Sequence, residues 1–285
     1  MATRNARLIT AAVVVLAVAV AGFFGIRALW TTAKDHFSSD SCTVGQFEIG
    51  TDQAAVASTM VGAVSKYRGT LPTRASVLVL AAGLQESKLA NLAPGDGDRD
   101  SVGVLQQRPS QGWGKVTGQS DSISDRTRRL TDVGEATKEF LDHLVKIANW
   151  PRLPLAKAIQ EVQISADGTA YARHESEAQA LADALGGPRA AGISCDFAKP
   201  SKVAATTVVA EQVGMQLGID TPVASQNSVR VVGARWQTAA WFVANADRLG
   251  IERVDYAGQR WARSTKWRKD SSVSSAAVVA TMAKA

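Results

Sequence analysis

Residues 74–89 read RASVLVLAAGLQESKL, a nearly unbroken apolar run after Pro72 whose only acid is Glu86. Such uniform apolarity predicts a helix buried in the middle of a domain. Counting back three, four and seven residues from Glu86 reaches Gly83, Ala82 and Val79, so its side of that helix is small and nonpolar. Two effects then raise the pKa of this carboxyl. Burial disfavours the anion, and the negative end of the helix dipole does the same if the helix stops near Leu89 or Asn91. A carboxylic acid kept protonated near neutral pH is what glycosidic bond cleavage requires of its general acid. The same pattern also fits a solvent-facing glutamate one turn before a helix end, and the surrounding residues decide between the two.

Upstream, TDQAAVASTMVGAVSKYR (51–68) carries Val56, Met60, Ala63 and Tyr67 at helical spacing, with Thr51 or Asp52 available as N-cap. Downstream, residues 91–124 lose periodicity and fill with Gly, Asp, Ser and Pro. Long loops of this kind in compact domains are often functional. Helical patterning resumes at Asp132, whose D-x-x-E start resembles a capping box, and Phe140, Leu144 and Ile147 mark an inner face until Pro151. PLAKAIQEVQIS (154–165) predicts a further helix opened by proline. TAYARHESEAQALADALGG (169–187) aligns Tyr171, His174, Ala178, Leu181 and Leu185 on one stripe and ends on paired glycines.

Three blocks in this order carry a resemblance: Gln85-Glu86-Ser87, then GVLQ (103–106) running into QRPSQGWG (107–114), then Ala170-Tyr171. On them the segment from Cys42 to Gly187, roughly half the chain, resembles the lysozyme-like superfamily, in the soluble lytic transglycosylase and goose-type lysozyme branch found in exported Gram-positive cell-wall proteins. Glu-Ser alone carries no weight, whereas the long run from GDRDS to QGWG is specific. The resemblance implies that Glu86 protonates the bond between N-acetylmuramic acid and N-acetylglucosamine and then acts as base. It implies that Gln106 and Gln107 line the sugar groove, that Tyr171 orients Glu86, and that Trp113 is an apolar platform for a sugar. Tyr171 on a core stripe also reads as packing, and Trp113 as a loop anchor. The chain departs from the pattern after Tyr171, where Ala172 and Arg173 replace the expected asparagine.

Asp96, Asp98 and Asp100 alternate ahead of the second block. Asp98 and Asp100 either hold the loop or position a water as a second carboxylate. As a calcium loop the pattern fails, with Ser101 where glycine is needed and Gln107 where the bidentate glutamate is needed. Three histidines and two cysteines argue against a zinc centre, and no cofactor is expected. There is no Gly-rich phosphate loop and no GxSxG nucleophile.

Leu8 to Ile26 contains no charged residue, with Arg4 and Arg7 before it and Arg27 after. At about 19 residues it is near the ~20 a membrane-crossing helix needs, and its charges place the N-terminus in the cytoplasm and the rest of the chain outside. The competing reading is a cleaved signal with Ala17-Val-Ala19 as the site, which gives a secreted protein. In an oxidising compartment Cys42 and Cys195 are expected to pair and bracket one domain, with two free thiols as the alternative. The expected layout is an anchor over 1–31, a linker over 32–41, a lysozyme-like domain over 42–195, a linker over 196–226 and an accessory module over 227–285. In class this is α+β: a mainly α lysozyme-like domain after a transmembrane helix, followed by a small α/β module.

In the last fifty residues Trp236, Trp241, Trp261 and Trp267 accompany Arg235, Arg253, Arg260, Arg263, Arg268 and Lys269. This composition suits contact with an anionic wall polymer, and equally a small core. The net charge of +6 divides as +3 over 1–31, −2 over 32–195 and +5 over 196–285. It is too diffuse for a nucleic-acid binder. The resemblance implies peptidoglycan strands as partner, and the apolar run over Leu8 to Ile26 makes the plasma membrane the other expected partner. The expected function is a membrane-tethered lytic transglycosylase. A hydrolytic muramidase and a non-catalytic wall-binding, secretion or conjugation accessory are the alternatives.

Overall fold

The computed structural model describes residues 40–118, 121–165 and 167–284. Two short strands, β1 (Ser41–Val44) and β2 (Phe47–Gly50), form a hairpin. β3 (Ile193–Asp196) pairs antiparallel with the other side of β1, giving the order β2-β1-β3. That register sets Cys42 opposite Cys195, and the two form a disulfide across 153 residues of sequence.

Six helices lie between these strands: α1 (Thr51–Ser65), α2 (Thr73–Ser87), α3 (Ile123–Thr131), α4 (Val133–Leu144), α5 (Leu155–Gln163) and α6 (Glu175–Gly186). α2 is central, buried at every position from Ala75 to Leu84, and packs chiefly on α6. With no polar face it is held by the elements around it rather than by its own propensity. α4 starts as its sequence predicts, with the Asp132 side chain accepting a hydrogen bond from Glu135 N at 2.9 Å. A 3₁₀ turn over Gly168–His174 leads into α6 and carries Tyr171.

The C-terminal part builds on α7 (Thr206–Leu217) and a six-stranded antiparallel sheet: β4 (Val223–Ala224), β5 (Ser228–Val232), β6 (Ile251–Tyr256), β7 (Gln259–Ala262), β8 (Thr265–Lys269) and β9 (Ala277–Met282). Its order is β4-β5-β9-β6-β7-β8. Between β5 and β6 stand α8 (Trp236–Ala244) and the single turn α9 (Ala246–Leu249). The β6–β7 hairpin turns through Ala257 and Gly258, both at positive φ, which matches the right-handed twist of its strands.

Residues 40–285 form one compact unit, and a single cluster of buried side chains runs from Cys42 to Met282. Polar bonds cross between the two halves of the sequence. Asn245 Nδ2 donates to Ser58 Oγ at 3.0 Å, and Gln216 Oε1 accepts from both Trp241 Nε1 and Thr59 Oγ1. Trp261 Nε1 and Trp267 Nε1 donate to the β3 carbonyls of Cys195 and Ile193.

This architecture corrects the expected fold class. The described residues contain nine helices and two antiparallel sheets, and the larger sheet exceeds a small α/β module after a mainly α domain. No helix among them is long and apolar enough to cross a membrane. The anticipated anchor, and its linker up to Ser39, lie outside the described residues. One local reading also changes. Within 196–226, read as a linker, α7 buries Val209, Ala210 and Val213. Ala277–Met282 is a central strand between β5 and β6. Ala277, Val278, Ala280 and Met282 are buried along it, and nothing local in the sequence reveals its pairing with both neighbours.

Candidate active site

The site begins where α2 ends. Lys88 and Leu89 both take left-handed backbone (φ 56° and 60°), and their N–H groups cap the Leu84 and Gly83 carbonyls. Gln53 Nε2 closes the turn on the Lys88 carbonyl at 2.7 Å. Ser87 Oγ reaches from the last turn of α2 to the Val104 carbonyl at 2.8 Å. This contact gives a structural reason for serine beside Glu86: it fastens the helix end to the GVLQ segment.

Glu86 Oε1 accepts a hydrogen bond from the Tyr171 hydroxyl at 2.5 Å. Gln163, the last residue of α5, is a second polar neighbour that favours the Glu86 anion, and its Nε2 donates to the Leu105 carbonyl at 2.9 Å. Burial pushes the Glu86 carboxyl above the ordinary carboxylate range, while the bond from Tyr171 and the nearby Gln163 amide pull it back in part. No charged group contributes to the balance. Burial, with Glu86 adding to it, raises the Tyr171 hydroxyl as well, so it remains a donor throughout the neutral range. Tyr171→Phe deletes a donor that favours the anion, so the Glu86 pKa rises further. Any activity that needs the protonated acid should then persist to higher pH than in the parent, as a pH–rate profile would read.

Gly103 shows why the second block needs glycine. It sits at φ +73°, and a Cβ there would overlap the Leu130 carbonyl oxygen. Gly103→Ala combines left-handed strain with a clash against fixed backbone, and should cost roughly 3 kcal/mol in chemical denaturation. A loss under about 0.5 kcal/mol would show that the segment relaxes freely.

The residues expected in the site separate. Gln106 is at positive φ, and its Nε2 bonds the Gly103 carbonyl, so its amide folds onto its own loop. Gln107 is 2% exposed and directs Nε2 at the Ala136 carbonyl on α4, 3.4 Å away, which turns it into the core rather than toward a groove. Trp113 stacks on His143 with ring centroids 4.6 Å apart, beside Gly114, whose N–H donates to both oxygens of Glu139. Asp100 accepts from Arg108 Nε at 2.7 Å and from Ser110 N at 2.8 Å. Hydrogen bonds with Ser110 and then Arg108 hold it far below the usual carboxylate range. Asp98 is exposed, 3.8 Å from Arg99 Nε. No group of three or more potential metal ligands converges among the described residues.

Gln163 and Glu139 escape the sequence reading. The signal for Gln163 is its place four residues after Ile159, a polar residue continuing the stripe of Leu155 and Ile159 that faces the core. Glu139 follows Ala136 on the inner side of α4 in the same way. In the C-terminal part, Trp241 and Trp261 are core residues, 1% and 0% exposed. Arg263 is likewise buried, bonded to the Ala246, Ile251 and Ala198 carbonyls and to Asp247. Arg253 and Arg260 pair with Asp255, which leaves Arg235, Arg268 and Lys269 as the exposed bases of that set. A cleft of about 1080 Å³ runs along α1 and the start of α4, past Asp52, Thr59, Lys66, Asp132 and Met215. Neither Glu86 nor Tyr171 lines it.

No protein-family model matches the chain, and comparison with curated proteins finds no match.

Proposed function

We propose that the protein cleaves the β-1,4 bond between N-acetylmuramic acid and N-acetylglucosamine in peptidoglycan as a lytic transglycosylase, with Glu86 as its one catalytic carboxyl. The observation that carries this reading is the state of Glu86. It is a partly buried acid with a raised pKa, hydrogen-bonded by the Tyr171 hydroxyl, with the neutral Gln163 nearby and no second carboxylate influencing it. The Gln-Glu-Ser, GVLQ and Ala-Tyr blocks support the substrate assignment. The Cys42–Cys195 bond suits work in an oxidising compartment, where peptidoglycan lies.

In the first step the Glu86 carboxyl gives its proton to the glycosidic oxygen, and the bond from that oxygen to the muramyl anomeric carbon breaks. Tyr171 keeps the carboxylate left behind in position and hydrogen-bonded, and Gln163 beside it favours the anion. In the second step Glu86 takes the proton of the muramyl 6-hydroxyl, whose oxygen bonds the anomeric carbon and closes a 1,6-anhydro ring. Glu86 is again protonated and no water is consumed. A lone carboxyl suits this cycle, because inverting hydrolysis requires a second one to activate water. Mass spectrometry of purified cell wall digested with the protein is the test. Anhydro-muropeptides are the expected products, reducing ends would identify a muramidase, and no release would leave a binding protein.

A further inference from the structure

Arg173 stands where the third block departs from its pattern, two residues after Tyr171 on the same 3₁₀ turn. It is exposed yet fixed. Nη2 donates to Gln85 Oε1 at 2.8 Å, and Nε lies 3.2 Å from His174 Nε2, which is itself 3.1 Å from Gln85 Oε1. Gln85 is the neighbour of Glu86 on α2, so the bond ties the guanidinium to the last turn of the helix that carries the acid. Arg173 forms no ion pair with a described carboxylate, and Nη1 has no hydrogen-bond partner among the described residues. Asp167, the acid whose charge state Arg173 influences, has one carboxylate oxygen engaged by Thr169 N and Oγ1.

Surface arginines ordinarily lose conformational freedom when they bind a ligand. Here two side chains have already restricted that freedom, and the part of the fork left open matches a carboxylate. We propose that Arg173 is a carboxylate-binding subsite beside Glu86 that selects glycans carrying an acidic substituent over neutral ones. This rests on the reading of Glu86 as acting on a glycan. The carboxylate has two possible sources in such a strand, the lactyl group of the sugar and the peptide attached to it.

Binding by the full chain carrying Glu86→Gln tests the subsite without turnover. Calorimetric titrations would compare neutral chitotetraose, a peptide-free tetrasaccharide with lactyl carboxylates, and the same tetrasaccharide bearing its peptides. The acidic ligands should bind about tenfold more tightly than the neutral one, and the preference should shrink as salt rises. A gain already present without peptide assigns the lactyl group; a gain seen only with peptide assigns the peptide. Adding Arg173→Gln should bring the ratio below about twofold, with Arg173→Lys intermediate and the thermal midpoint unchanged. Equal binding of acidic and neutral glycans, or a preference that survives Arg173→Gln, overturns the subsite alone. Binding of no glycan overturns both readings, whereas selective binding without cleavage by the unsubstituted protein overturns only the catalytic one.

Discussion

Glu86→Gln is expected to lower the release of muropeptides by about a thousandfold or more, the scale on which a positioned acid–base group contributes. The substitution keeps the volume and an oxygen that still accepts from Tyr171, so the arrangement of the α2 terminus and the GVLQ segment should survive. It removes only the proton that moves. Stability gives an independent check with a definite sign. The folded-state pKa of Glu86 lies above its unfolded value near 4.5, so the native protein holds that proton more tightly than the unfolded chain does. The parent therefore loses stability from this group as pH rises from about the unfolded value through the folded one. Glutamine does not titrate, so relative to the parent the variant should gain stability across that interval and hold the gain above it. Cleavage within tenfold of the parent by mass spectrometry would remove Glu86 from the mechanism. A gap in melting temperature that widens toward acid would contradict the burial argument.

The pairing of Glu86 with Tyr171 was legible from the order of the three blocks rather than from periodicity, since α2 is apolar throughout and Tyr171 sits on a 3₁₀ turn. Glu86 ends an apolar run, and Tyr171 begins the stripe that continues through Ala178 and Leu181. The two glutamines between them were not separable in this way. A positive φ at Gln106 reverses the chain, so consecutive residues of one motif go to different surroundings, one onto the loop and one beneath α4. Periodicity says nothing about such a turn. Trp113 is a related case, since its place against His143 depends on where α4 lies in space. The three-stranded sheet and β9 were the least legible parts. β1, β2 and β3 are four residues each, and β9 pairs with strands that begin some 50 and 25 residues earlier in the chain. Such pairing is written in tertiary packing rather than in the local run of residues. The tryptophan-rich C-terminal composition left a core and a ligand surface open. For Trp241 and Trp261 burial selects the core, and their indole N–H groups are taken by Gln216 and the Cys195 carbonyl.

Replacing Cys42 and Cys195 together by alanine should produce a large stability loss. The disulfide closes a loop of 153 residues, and the chain-entropy estimate for a loop of that length is about 5 kcal/mol. For a unit of this size that corresponds to a fall in melting temperature of roughly 10–20 °C. Position adds to length. β3 is the edge strand of the smaller sheet that meets the larger one: Cys195 stands opposite Cys42 on β1, while its carbonyl accepts from Trp261 Nε1 at 3.1 Å and the Ile193 carbonyl accepts from Trp267 Nε1 at 2.8 Å. Phe197 N continues the connection to the Arg263 carbonyl. Loosening β3 from β1 therefore weakens one tie between the six-stranded sheet and the helices, while the packing of α8 on α1 and α6 remains. Glu86 is held by its bond to Tyr171 and lies beside Gln163, neither of which involves β3, so cleavage measured well below the lowered melting temperature should remain within a fewfold of the parent. A melting temperature within about 2 °C of the parent would show that the unfolded chain with free ends is already as restricted as the cross-linked one.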